Sequence, residues 1–374
     1  MYIMKKNRKA IQIAAVLAIL FALSACGLQQ EGNRTVIKEP NKRITVLENE
    51  NIEIDPIRIS VEKIDKYDGT EITDWLDEQT VVLARENREF EKMSLLENAE
   101  FYPRSLYLYN PDSKEYKTVK AGKNMFLGGA TLSSDKKHLL YHEYSIGDTA
   151  LYLMSMDDQE SPIPEGSLGI AYTAEWADTQ NVIGVSYAGG AYMADMTGKL
   201  TQIPELQEEQ LFTVQKMQDK IYYITTETED SPSSQLYMLD LATKEKKDLK
   251  VENAYGITPS PDGKQILITQ RAGSTKKLLL ADAGGNILKT IAQGTEVTGE
   301  SWSPNQRLIT YCLNSVVNGT AGSGLYLYDV LTGTSMQIAV NIGDAEISWS
   351  PSGKKIAVAE SDGKYYNSSI IYLK

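Results

Sequence analysis

Thr258-Pro-Ser-Pro-Asp-Gly-Lys264, running directly into Gln265-Ile-Leu-Ile-Thr269, is the stretch on which the reading of the fold turns. Proline presets φ at the second position of a turn, and glycine accepts positive φ near its end. Apolar and β-branched residues on either side make the segment a tight hairpin between two short strands. The unit recurs as Ser301-Trp-Ser-Pro-Asn-Gln306 before Arg307-Leu-Ile-Thr-Tyr311, and as Ser348-Trp-Ser-Pro-Ser-Gly-Lys354 before Lys355-Ile-Ala-Val-Ala359. Degenerate copies stand at Asp74-Trp-Leu-Asp-Glu78, Thr131-Leu-Ser-Ser-Asp135, Glu175-Trp-Ala-Asp178 and Gln215-Lys-Met-Gln-Asp219.

A second signature alternates with the first. It reads as an edge-like strand with a polar end: Tyr107-Leu-Tyr-Asn110, Tyr152-Leu-Met-Ser155, Tyr192-Met-Ala-Asp195, Tyr237-Met-Leu-Asp240, Leu279-Leu-Ala-Asp282, Tyr326-Leu-Tyr-Asp329 and Ile371-Tyr-Leu-Lys374. The spacing is that of a β-propeller blade, ~40–45 residues with four strands. Seven copies predict an all-β fold with seven blades, six being the alternative if one copy is spurious. The last unit stops after three strands, so an N-terminal strand must complete it. Pro56-Ile-Arg-Ile-Ser-Val-Glu-Lys-Ile64 is the expected closing strand, and its pairing removes an exposed sheet edge.

The hairpin and the Leu-Tyr-x-x-Asp strand together resemble the WD40-like repeats of TolB-type propellers and of propeller domains in some serine peptidases. The resemblance covers roughly Asp68 to Lys374 and implies fold more than function. With the N-terminal features described next, the whole is similar to the YqgU-like propeller lipoproteins of bacteria. It departs from TolB in one respect. TolB carries an α/β domain before its propeller, and Gly27 to Arg58 is too short to hold one.

The N-terminus opens with Lys5, Lys6, Arg8 and Lys9, then an apolar run from Ile11 to Leu23. That run is too short for a spanning helix of ~20 residues and suits a signal-peptide core. Leu23-Ser24-Ala25-Cys26-Gly27 resembles a lipobox, which implies diacylglycerol attachment at Cys26 and removal of the preceding residues. The expected organisation is a signal peptide at 1–25, a lipidated cysteine and polar tether at 26–42, and a propeller at 43–374. Acyl chains contribute ~0.8 kcal/mol per buried CH₂, so two or more anchor durably. Localisation is thus expected at the cell membrane, lipid-anchored on its extracytoplasmic side, with an envelope protein or extracellular ligand as partner and the chain itself monomeric.

Charge and inventory exclude several chemistries. The net charge is −12 and no basic run follows Cys26, which argues against nucleic acid. His138 and His142 are the two histidines. On one strand they would lie too far apart to share a metal, at ~3.3 Å per residue. No Gly-x-Ser-x-Gly elbow or phosphate-cradling glycine loop is present. No catalytic residue, metal ligand or cofactor is therefore assigned, and the chain is expected not to be an enzyme.

Two candidate sites remain. Asp74 and Glu175 each precede a tryptophan, and Glu346 stands three positions before Trp349. Alternation along a strand places all three on one face, where they could meet at a channel mouth as a cation would require. Glu300, two positions before Trp302, is expected on the opposite face. A hydrolase or lyase using these carboxylates with Ca²⁺ is the alternative reading. The other candidate is an insertion at Asn87 to Pro103 carrying Phe90, Met93, Leu95, Leu96, Phe101 and Tyr102, with a polar counterpart loop from Asn314 to Ser323. Long loops on a rigid scaffold commonly carry recognition. The four tryptophans recur at one blade position and are read as packing between blades.

Overall fold

The computed structural model describes residues 59–374, except 95–99, 145–148, 158–173, 187–188, 227–232, 318–319 and 364, and the backbone of two strands nearer the N-terminus. Residues 1–25, Cys26, Leu95 and Leu96 lie outside the described residues. Met1–Asp55 and Pro56–Lys374 form two units. In the first, β1 (Arg34–Glu39) and β2 (Lys42–Leu47) pair antiparallel, from Arg34 with Leu47 to Glu39 with Lys42. These strands span the position at which the sequence predicts tether giving way to propeller.

The second unit is a ring of seven blades. It opens with β3 (Val61–Asp68). Blade one follows as β4 (Thr70–Trp75), β5 (Val81–Glu86), β6 (Arg104–Asn110) and β7 (Glu115–Lys120). Blade two has β8 (Leu127–Leu132), β9 (His138–Glu143) and β10 (Ala150–Ser155) among the described residues. Blade three comprises β11 (Glu175–Trp176), β12 (Asn181–Val185), β13 (Ala191–Asp195) and β14 (Leu200–Gln202). Blade four is β15 (Leu211–Met217), β16 (Lys220–Thr225), β17 (Gln235–Asp240) and β18 (Lys246–Glu252). Blade five is β19 (Ala254–Pro259), β20 (Gln265–Ala272), β21 (Thr275–Asp282) and β22 (Ile287–Gly294). Blade six is β23 (Glu296–Trp302), β24 (Leu308–Val317), β25 (Thr320–Asp329) and β26 (Thr334–Val340). Blade seven contributes β27 (Ala345–Trp349), β28 (Lys355–Ser361) and β29 (Tyr366–Leu373), and β3 completes it.

The expected closure by an N-terminal strand is thus present, with its position corrected. The strand runs Val61–Asp68, so only the last four residues of the predicted Pro56–Ile64 segment belong to it. The Tyr-rich signature is likewise not an edge. It forms the third strand, and in the six blades whose fourth strand is described it is bonded on both sides, leaving the fourth strand as the outer edge. Its terminal Asp or Asn has a turn-forming role. Asn110, Asp240, Asp282 and Asp329 each accept two backbone N–H bonds from the following turn.

The repeated hairpin works through the serine at its third position. Ser133, Ser260, Ser303 and Ser350 each accept the backbone N–H five residues on, at 2.9–3.1 Å. The turn residue with positive φ is glycine at 263 and 353, as its chemistry requires, but Lys136 and Gln306 adopt the same conformation. The tryptophans hold adjacent blades together. Trp75, Trp176 and Trp302 donate their indole N–H to Ser348 O, Thr131 O and Thr258 O, each on the innermost strand of the preceding blade.

The core is a set of layers between blades. Each hydrophobic cluster draws on two neighbouring blades, as when Met217, Tyr222 and Leu249 of blade four meet Ile257, Ile266 and Ile268 of blade five. The seam between blades seven and one adds polar bonds. The buried Ser368 hydroxyl donates to Thr70 O at 2.9 Å and accepts from Ile72 N at 2.9 Å. At the other end of the seam, Glu78 accepts from the backbone and hydroxyl of Ser352, and Lys355 donates to Glu78 O at 2.7 Å. Ser368→Ala leaves a buried donor and acceptor of β4 without partners. It is expected to destabilise the chain by ~1–3 kcal/mol, read as a lower denaturant midpoint, whereas the exposed Ser361→Ala should leave the midpoint unchanged.

Candidate functional site

The innermost strands bring carboxylates toward the ring axis, but not the set expected from alternation. Glu346 in β27 is electrostatically coupled to Glu71 and Asp344, and to Glu175 across the ring. Asp74 is not part of this group. Its Oδ2 accepts the backbone N–H of Leu132 at 2.8 Å, and its Oδ1 lies 3.2 Å from Lys136 Nζ, so it ties blade one to blade two.

The physical reason is a one-residue bulge between Ile72 and Asp74. A bulge inserts an extra residue and breaks the period of two. The register shows the consequence: Glu71 pairs with Ala84 and Glu346 with Ala359, each three steps along the second strand from the tryptophan's partner. Glu71 is the equivalent of Glu346, and sequence counting passed over it. A bulge between Thr298 and Ser301 likewise defeats the expectation for Glu300. Its Oε1 lies 3.5 Å from the Thr258 hydroxyl of the preceding blade's innermost strand.

Glu71 has no exposed side-chain surface. Its Oε2 accepts from Arg104 at 2.6 Å and its Oε1 from Gly129 N at 3.0 Å. A Cβ on residue 128 would fall 2.5 Å from Glu71 Oε2, so glycine there is what admits the carboxylate. Among the described residues, Glu175, Glu300 and Glu346 have no such cation. Protein surrounds them although Glu175 and Glu346 open onto the channel, and loss of solvation pushes each up to about 7. For Glu346, the neighbouring carboxylates add to the rise. Among the described residues, no three His, Cys, Asp or Glu side chains gather in a metal-holding group. His138 Nδ1 bonds Thr179 O at 2.9 Å and His142 Nδ1 approaches Tyr144 Oη at 3.4 Å, so the two histidines serve separate contacts.

Beside this channel, at the seam of blades seven and one, lies a cleft of about 660 Å³. Its walls come from the β3–β4 link (Asp68, Gly69), the end of β5 and the insertion after it (Arg85, Glu86, Arg88, Glu89, Phe101), and the start of β29 (Tyr365, Tyr366). Arg104 also lines it, 5.3 Å from the Phe126 ring and 4.7 Å from that of Tyr366, while held by Glu71. Arg104 thus belongs to both the cleft and the channel wall. Of the insertion's predicted residues, Phe101 faces the cleft, edge-on to Phe126 and Tyr365. Met93 is buried, Phe90 is half-buried, and Tyr102 lies under Arg88 and Lys92. The counterpart at 314–323 is corrected. It extends the β24–β25 hairpin, pairing Asn314 with Ser323 through Val317 with Thr320.

Fold and site define a seven-bladed β-propeller with an acidic axis and a seam cleft. No family model and no curated protein matches the chain. Solved structures do. An oligogalacturonate lyase from Vibrio parahaemolyticus superposes with a TM-score of 0.59 at 10% identity, over 84% of this chain and 97% of that one. An uncharacterised protein from Listeria monocytogenes gives 0.53 at 12% identity, over 77% and 88%. TolB from Acinetobacter baumannii gives 0.46 at 15% identity, over 78% and 63%. These likenesses concern the ring itself.

The glutamates set a pH dependence whose sign is fixed. A carboxyl raised from 4.5 to about 7 on folding holds its proton in the native state over that interval. Its contribution is complete below the unfolded value and lost as pH rises through the folded one. The thermal midpoint should therefore fall from pH 4.5 to 7, and Glu175→Gln with Glu346→Gln should reduce that slope, leaving the part due to Glu300. A slope unchanged in the double variant would contradict the assignment.

Proposed function

We propose that this chain is a lipid-anchored extracytoplasmic binding protein whose propeller presents the seam cleft to a ligand or protein in the cell envelope. The cleft is the observation that carries the reading. Its volume falls in the ~300–1,000 Å³ range of small-ligand sites, and it combines aromatic walls with a few charged groups. It is built where a long insertion meets the ring closure, and insertions on rigid scaffolds are favoured places for recognition. The anchor rests on the Lys-rich start, the short apolar run and Leu23-Ser24-Ala25-Cys26. Among the described residues, no helix is long and apolar enough to cross a membrane.

Two measurements test the proposal. Cells fed labelled palmitate should label the chain, and Cys26→Ser should abolish both the label and recovery with membranes. A photocrosslinker at Tyr116, on the cleft wall, should capture one component that a crosslinker at Phe212 in blade four does not. Identical captures at both positions would remove the cleft from the proposal.

A second reading has its own support in Glu175, Glu300 and Glu346, whose carboxyls sit near 7 and suit proton transfer at neutral pH. It makes the channel a carboxylate- and Ca²⁺-dependent hydrolase or lyase. The neighbouring oligogalacturonate lyase shares the ring at 10% identity, which carries architecture and not chemistry. Calorimetric titration with Ca²⁺ separates the readings. Heat of binding that disappears in Glu175→Gln/Glu346→Gln supports catalysis at the channel, and the same titration curve in both proteins removes it.

A further inference from the structure

The lining of the seam cleft narrows its ligand. This step rests on the reading of the cleft as the binding site. Six aromatic rings face it, and among them Tyr116 and Tyr365 each keep 44% of their surface exposed. Among the described residues, the remaining wall is charged, apart from Gly69, and no aliphatic side chain contributes. The apolar surface on offer is therefore aromatic, made of flat rings rather than branched or flexible aliphatic groups.

The charges are fixed in a way that disfavours a strongly anionic ligand. Arg104 is neutralised by Glu71, and Arg88 lies 3.2 Å from Glu86. Arg85 donates to Tyr116 Oη at 2.8 Å, with its guanidinium 5.2 Å from that ring. Asp68 and Glu89 make no ion pair among the described residues, so acceptors outnumber available cations. Flat aromatic faces bordered by planar guanidinium and carboxylate groups match a molecule with apolar C–H faces and a rim of hydroxyls. Tyrosine also presents such faces at low entropic cost, because only two side-chain torsions must be fixed.

We propose that the cleft between blades seven and one binds an oligosaccharide, with sugar rings on Tyr116 and Tyr365 and hydroxyls bonded to Arg85, Asp68 and Glu89. The site lies off the axis, and the inference does not involve the channel carboxylates.

The test uses the full chain in a non-glycosidic detergent, titrated calorimetrically with cellotetraose, chitotetraose and tetragalacturonate as neutral, N-acetylated and uronic probes. Saturable binding of at least one is expected. Tyr116→Ala/Tyr365→Ala should weaken it tenfold or more, Tyr116→Phe should retain most of it, and Phe212→Ala should leave it unchanged. Thermal melts of each variant separate lost binding from lost folding. No saturable binding of any probe, or binding indifferent to the double substitution in a folded variant, overturns the assignment. Capture of a protein by the crosslinker at Tyr116 without binding of any sugar would overturn the oligosaccharide and leave the broader cleft reading standing.

Discussion

Each blade of this ring can bury its two faces only against its neighbours, so everything else depends on the one junction that chain order does not supply. That junction is the pairing of Val61–Asp68 with Tyr366–Leu373, from Leu373 opposite Val61 to Asn367 opposite Asp68. Ile72, Trp75 and Leu83 of blade one then pack on Ala357 and Ile370 of blade seven. Without closure two apolar faces would meet water, at ~25 cal/mol per Å². The bond from the Ile72 N–H to the Ser368 hydroxyl joins residues 296 apart in sequence. Loop-closure entropy grows only logarithmically with that length, so the long connection costs little more stability than a moderate one. It does make late, nonlocal pairing a feature of folding.

Closure also places the cleft. Asp68 and Gly69 leave the closing strand, Tyr365 and Tyr366 enter its partner, and the blade-one insertion falls beside them. The other polar locks, Glu78 with Ser352 and Trp75 with Ser348, hold the seam away from the cleft and leave its mouth to side chains.

The fold was legible because its repeat is chemical as well as periodic. Ser260, Ser303 and Ser350 do the same local bonding wherever the motif stands, and the tryptophans mark one blade position. The axis was less legible because alternation is a rule for unbulged strands. The innermost strands β4, β8, β15, β19 and β23 each carry one extra residue opposite the second strand. Counting back from Trp75 therefore reaches Asp74, a link between blades, while Glu71 occupies the position that Glu346 holds in the unbulged β27. A residue missing from the motif, Gly128 beside Glu71, was the available signal. In blade six, the polar run 314–323 reads as a loop by composition, yet its backbone simply continues the antiparallel ladder.

Arg104 explains why cleft and channel are best regarded as different environments despite their contact. Its guanidinium is 6% exposed and bound to a fully buried carboxylate, so breaking that pair would strand a charge at a cost of ~3–5 kcal/mol. It cannot readily turn outward to hold a ligand, and its part in the cleft is to fix the rings of Phe126 and Tyr366. On the channel side, Glu71 is held by Arg104, whereas loss of solvation, with the nearby Glu71 and Glu175 adding to it, drives Glu346 toward its protonated form. One buried ion pair thus braces the aromatic floor of the cleft and places a carboxylate near Glu346 on the axis behind it.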